Sequence, residues 1–249
     1  MKIFLILLFF VEILGFTPFQ NPSDWKIIGG GFATEGEFPY QISFRINGKH
    51  GCGGSILNAN TVLTAAHCII TTPESMQVVT GTNLISENGD VYDVRSFTKH
   101  ENYDANKFIN DIALLHISSN IKYSDLVQPI AVGIDEIGVN VECVLSGWGL
   151  TSYPGSVSTF LRYIRLKTIS NKVCAEKHAS SKYPITDDEI CTYTRKGEGF
   201  CQGDSGGPLV FNQQQIGIVS WGKACAIGFP DVFTRVSAYY DWITENLHN

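Results

Sequence analysis

Gly203-Asp204-Ser205-Gly206-Gly207-Pro208 is the most specific stretch of this 249-residue chain. A serine hydroxyl is a poor nucleophile until a base takes its proton and an anion site receives the charge that forms. Flanking glycines let backbone N–H groups approach a reacting carbonyl with no Cβ in the way. Taken alone, Asp-Ser-Gly-Gly also reads as an ordinary Gly-rich turn. Two stretches upstream change the balance. Thr64-Ala65-Ala66-His67-Cys68 sets a histidine after small residues and beside a cysteine. Asn110-Asp111-Ile112-Ala113-Leu114-Leu115 sets an acid at the head of an apolar strand. Singly, His67 reads as a structural histidine and Asp111 as a strand-end residue. Together the three stretches supply His, Asp and Ser in that chain order, 44 and 94 positions apart.

Composition sets the frame around them. Hydrophobic residues make up 44% and charged ones 17%, so the chain folds and carries no low-complexity tract. Eighteen Lys+Arg against 24 Asp+Glu leave −6 without a basic run, which argues against nucleic acid or an anionic membrane as partner. Twenty-four Gly and nine Pro, among frequent Val, Ile, Thr and aromatic residues, favour many short strands. Candidates are 41–46, 53–57, 61–63, 77–80, 112–116, 142–145, 208–211, 216–221 and 232–236, with Asn47-Gly48 as a hairpin turn after the first. Strands of this length suggest barrels or a sandwich. One helix closes the chain, because Val236, Tyr239, Tyr240, Ile243 and Leu247 form an apolar stripe with Asp241, Glu245 and Asn246 outward.

Both the N-terminus and the cysteines point to export. Met1-Lys2 precedes the apolar run 3–15, which fits a secretory signal and is short of the ~20 residues of a membrane span. Seven cysteines read as three disulfides and one left over. No two are closer than ten positions and no HExxH occurs, so neither metal nor cofactor is expected.

The order His67, Asp111, Ser205 is that of the chymotrypsin fold, and at this point the chain resembles a chymotrypsin-family serine protease from Ile27 onward. Lys26-Ile27-Ile28-Gly29-Gly30, Cys52-Gly53-Gly54-Ser55, Ser146-Gly147-Trp148-Gly149 and Ser220-Trp221-Gly222 carry the resemblance further. The segments at 81–94, 196–210 and 225–236 look most like insect chymotrypsins, those of ants especially. The resemblance implies an all-β fold of two six-stranded antiparallel β-barrels with a C-terminal α-helix. It also implies a signal peptide at 1–15, an activation propeptide at 16–26 and a protease domain at 27–249. By it Ser205 is the nucleophile, His67 the general base, Asp111 its orienting acid, and the N–H groups of Gly203 and Ser205 the oxyanion site. Cleavage after Lys26 would free an Ile27 ammonium to pair with Asp204. The implied disulfides are Cys52–Cys68, Cys174–Cys191 and Cys201–Cys225. Cys143 loses its usual partner because Phe211 stands there, so a buried free thiol is expected. Partners would be protein or peptide substrates, an activating trypsin-like protease and protein inhibitors, with the enzyme a monomer. The loop 81–93 has Thr82 and Leu84 where relatives often place calcium ligands, so no ion is expected there.

The same resemblance implies a substrate pocket made by Gly199, Phe200, Ser220, Trp221, Gly222 and Asp231. Gly199 at the floor removes the acid that would pair a Lys or Arg side chain, and Gly222 leaves the entrance open. Cleavage after Phe, Tyr or Leu follows. Asp231 keeps an alternative open: its carboxylate either faces the pocket and draws a cation, giving trypsin-like or mixed cleavage, or is hydrogen-bonded away beneath it. A more distant alternative is a non-catalytic homologue that acts as a binding protein.

Overall fold

The computed structural model describes residues 29–87, 89–223 and 225–247. After a short β1 (Gly31–Phe32), six strands close the first barrel: β2 (Gln41–Ile46), β3 (Lys49–Asn58), β4 (Thr61–Thr64), β5 (Met76–Thr80), β6 (Asp90–Lys99) and β7 (Ala113–Ile117). Their order around the barrel is β2-β3-β4-β7-β6-β5. The remaining elements are β8 (Ala131–Val132), β9 (Glu142–Gly147), β10 (Arg162–Ile169), helix α1 (Asn171–Lys177), β11 (Glu189–Thr192), β12 (Pro208–Phe211), β13 (Gln214–Gly222), β14 (Asp231–Arg235) and helix α2 (Tyr240–Asn246). The second barrel runs β10-β11-β14-β13-β12-β9 and closes through the β9–β10 pairing, with β1 added to β10 and β8 to β13. Closure removes the exposed edges that a flat sheet of such strands would present.

Local chemistry explains much of this. Asn47 and Gly48 both have positive φ, 51° and 74°, as a two-residue type I′ hairpin turn requires, and they join β2 to β3. Every strand anticipated from composition is present within a few residues of its expected bounds. Five strands lie outside the expected set: the two-residue β1 and β8, and β6, β10 and β11, although β6 and β10 show period-two alternation. Tyr92 and Val94 point inward between exposed Val91, Asp93 and Arg95, and Ile164, Leu166 and Thr168 alternate with Arg165 and Lys167. Helix α1 has only seven residues, too few for a periodic signal, and starts at a Ser170 cap that accepts from the Val173 N–H.

At the C-terminus, residues 236–239 form a 3-10 turn rather than the first turn of the helix. A 3-10 turn advances by about three residues per revolution, which turns Tyr240 away from the stripe. Val236, Tyr239 and Ile243 pack against the first barrel's core, while Tyr240 is 42% exposed, contrary to the expected stripe.

Each barrel has its own core, centred on Ile42, Phe44, Ile56 and Leu114 in the first and on Leu145, Ile164, Leu209 and Phe233 in the second. Polar bonds join the two: Ser146 Oγ donates to Gln41 Oε1 (2.7 Å), and Gly53 N–H donates to the Ser205 carbonyl (2.7 Å). The seam therefore passes through the residues expected to be reactive.

Three disulfides link Cys52–Cys68, Cys174–Cys191 and Cys201–Cys225. With 16, 17 and 24 positions between partners, each is worth about 3 kcal/mol by chain entropy. Cys143 is free and buried, and its Sγ donates to the Leu166 carbonyl at 3.3 Å. Burial pushes its thiol up to about 12, so little nucleophilic thiolate forms in the folded state. Alkylation of the native, unreduced protein is expected to add no label, and alkylation after denaturation without reductant to add one. Mass spectrometry reads both, and a labelled native protein or a disulfide-linked dimer contradicts the assignment.

Candidate active site

Two adjacent strands bring His67 and Asp111 together. Strand β4 pairs with β7 in the register Thr64↔Ala113, so the residues just past one end and just before the other are neighbours. Ala65 and Ala66 are fully buried, and their small side chains let the chain turn tightly into the 3-10 turn Ala66–Cys68. The Cys52–Cys68 bridge ties that turn back to β3. On the other side Asn110 takes a left-handed φ of 55°, with its Oδ1 accepting from Tyr239 OH at 2.9 Å.

Asp111 is 1% exposed and fully engaged. Oδ1 accepts from the His67 backbone N–H (2.9 Å), and Oδ2 faces His67 Nδ1 (2.7 Å) and accepts from Ser220 Oγ. Thr234 Oγ1 donates to its carbonyl (2.8 Å). A carboxylate only accepts, so Nδ1 carries the imidazole proton and Nε2 is left bare as the basic atom.

Ser205 comes from the second barrel, on the turn ahead of β12, and lines the same cleft as the His67 ring. No hydrogen bond joins Ser205 Oγ to His67 among the described residues; this contact is commonly long before substrate closes it. Gly203 has φ 97°, a conformation open to glycine and strained for other residues. Its carbonyl is held by His50 Nε2 (2.9 Å), whose Nδ1 meets Ser43 Oγ (2.9 Å). Asp204 is fully buried, accepting from Gly149 N–H (2.7 Å) and Cys201 N–H (3.0 Å). Burial pushes its carboxyl up to about 6 against those two bonds.

The Trypsin family profile matches residues 27–243. The chain belongs to the trypsin family. It is a serine endopeptidase by that membership. Over 222 residues it is 43% identical to "Chymotrypsin-2" of Vespa crabro, covering 88% of this chain and 99% of that protein. It is 40% identical over 227 residues to "Hypodermin-B" of Hypoderma lineatum (90% and 88%) and 38% identical over 224 residues to "Trypsin alpha-4" of Lucilia cuprina (89% and 88%). The relatives' names thus include both chymotrypsin and trypsin.

In this trypsin-family enzyme the expected pocket residues gather beside the cleft. Phe200, Ser220, Trp221 and Gly222 line it. The Phe200 ring stands edge-on to Phe233 (5.5 Å) and reaches across, so that a Cβ on Gly222 would lie 3.1 Å from its Cζ. Asp231 sits behind this ring, 5% exposed and against Gly199, where a side chain would collide with its carboxylate. Its Oδ2 accepts from Phe200 N–H (2.9 Å), and burial raises its carboxyl well above the usual range. Of the two placements open for Asp231, the structure has the one bonded beneath the pocket. Lys26 and Ile27 lie outside the described residues.

The sequence reading did not single out two aromatic walls. Phe108 lies 5.5 Å from the His67 ring, and Tyr183 bridges Phe108 and Trp221 at 5.0 Å from each. Phe108 was within reach, three positions before Asp111. Tyr183, in the loop after α1, carries no local signal.

Proposed function

We propose that this enzyme is exported as an inactive precursor, activated by cleavage after Lys26, and cuts peptide bonds after Phe, Tyr or Leu. Export is supported by the apolar run 3–15 and by three disulfides, which suit an oxidising compartment. In the mechanism, Ser205 Oγ attacks the scissile carbonyl as its proton passes to His67 Nε2. Asp111 keeps the imidazole in the required tautomer and stabilises its charged form. The Gly203 and Ser205 N–H groups receive the oxyanion. The imidazolium then gives its proton to the leaving amine, and water repeats the cycle on the acyl-enzyme. Residues 220–222 pair with the substrate backbone as an added strand.

The preference for apolar side chains rests on one observation: the Asp231 carboxyl is withdrawn behind the Phe200 ring and bonded to the Phe200 N–H. A cationic side chain would meet the ring first. Pairing with Asp231 would also require the ionised form of a buried acid, which desolvation disfavours. The second reading, trypsin-like or mixed cleavage, draws on the same residue, since an arginine long enough to pass the ring would find a carboxyl at the floor. Paired Phe and Arg amide substrates decide between them. The expected result is kcat/KM favouring Phe by on the order of 10²-fold, with Asp231→Gly leaving that order unchanged. A preference for Arg that Asp231→Gly abolishes would make Asp231 the specificity determinant.

A further inference from the structure

His178 follows α1 and is 3% exposed. Its Nε2 lies 2.9 Å from the Pro230 carbonyl oxygen, next to Asp231 of the pocket wall. A carbonyl only accepts, so Nε2 bears the proton and Nδ1 of the neutral ring is an acceptor. That Nδ1 is buried without a partner among the described residues, and so is the Nε1–H donor of Trp221. The two rings meet near edge-to-face, with centroids 4.9 Å apart. One orphan accepts, the other donates, and buried polar atoms are rarely left unsatisfied. Their complementarity within one ring contact points to a pair closed through a single water.

We propose that His178 is a positioning residue, whose neutral ring holds the Trp221 indole from Nδ1 through that water and the Pro230–Asp231 pocket wall with Nε2–H. It thereby keeps the strand that pairs with substrate in register with the pocket. The inference rests on the reading of residues 220–222 as that strand.

Protonation would destroy the arrangement, because Nδ1–H⁺ would put a donor where an acceptor is needed. The surroundings oppose protonation. Lys223 is the cation at hand, its Nζ 4.0 Å over the Phe229 ring that also packs on His178. Tyr183 packs on the far face of the cluster, Asp231 is bonded toward Phe200, and Glu176 and Lys177 on α1 are exposed. Burial holds the imidazole below its ordinary range against the opposing bond to the Pro230 carbonyl, and Lys223 adds to the lowering.

The test uses the activated enzyme with short and extended Phe amide substrates. His178→Phe keeps the ring contact and removes both nitrogens. It is expected to raise KM for the extended substrate about tenfold, the worth of one good hydrogen bond, with kcat changed less than about twofold. The short substrate, which fills the pocket but pairs with less of the 220–222 strand, should show a smaller rise in KM. His178→Gln restores a donor and an acceptor that cannot become charged, and is expected to restore KM and make it independent of pH. A second readout is independent of turnover. Acidification below the ordinary imidazole range should quench a component of tryptophan emission in the wild type, and His178→Gln should lack that component. If His178→Phe fails to fold, the comparison of wild type with His178→Gln carries the test. Unchanged KM in His178→Phe, or identical acid quenching in wild type and His178→Gln, overturns the proposal. Failure of the functional reading looks different: no peptide is hydrolysed, while the emission difference persists.

Discussion

Replacing Ser205 by alanine is expected to lower kcat by about 10⁶ without lowering Tm. The magnitude is that of dismantling a serine-protease triad, in which nucleophile and base act as a unit. The stability expectation comes from this structure, where Ser205 is anchored through its backbone, its carbonyl accepting from Gly53 N–H, and not through its hydroxyl. His67→Ala should cost a similar factor, and the double variant little more, because each single change already removes the proton transfer. Asp111→Asn should cost about 10⁴, since an amide donor opposite Nδ1 favours the wrong tautomer. A serine-directed phosphonylating reagent gives the complementary readout: wild type labels at Ser205, and the His67→Ala variant labels far more slowly. Ser205→Ala enzyme retaining more than about a hundredth of wild-type turnover would remove Ser205 from the mechanism.

The second large effect concerns activation through Asp204. Its carboxyl is fully buried, and folding raises it from an ordinary 3.8 to about 6. The sign follows from linkage. The folded precursor binds this proton more tightly than the unfolded chain, so the contribution to stability is full below about 3.8 and is lost as pH rises through about 6. At pH well above that value the uncleaved chain would therefore carry a buried charge met, among the described residues, by the Gly149 and Cys201 N–H groups. Cleavage after Lys26 would supply an ammonium at Ile27, and the penalty becomes an ion pair. The cleaved enzyme is accordingly expected to melt above the precursor at pH well over 6, with the gap shrinking on acidification. Asp204→Asn should flatten the precursor's pH dependence. In the cleaved enzyme it should cost 10²-fold or more in kcat/KM, matching the ~3–5 kcal/mol of a broken buried pair. Full activity with an intact Lys26–Ile27 bond, or in cleaved Asp204→Asn enzyme, would contradict this account. N-terminal sequencing of active material should read Ile-Ile-Gly-Gly.

Several features were legible because they are written in short segments. The Asn47-Gly48 turn demands two positive φ values that those residues tolerate. The small Ala65-Ala66 pair, the Gly-flanked Ser205 and the acid before a run of buried strand residues are each local statements about what backbone can approach what. The alternation of β6 and β10, in Tyr92 and Val94 or Ile164 and Leu166, is fainter in the sequence because charged residues between them dilute the apolar signal.

The sequence by itself determined the chain order of His67, Asp111 and Ser205, a pattern of short strands that suits barrels or a sandwich, and the odd cysteine, because each depends on residue type and spacing along the chain. The three disulfide pairings came from family resemblance, and the structure forms all three. Only the tertiary structure decided where the Asp231 carboxyl lies. Whether a carboxyl turns into a pocket or away from it depends on the nearest donor in space, here the Phe200 N–H, 31 positions distant. The same holds for Tyr183 beside Trp221 and for His178 between Trp221 and Pro230. Their roles come from elements that meet across the second barrel, and no local pattern announces such a meeting, since burial and hydrogen bonding are properties of neighbours in space.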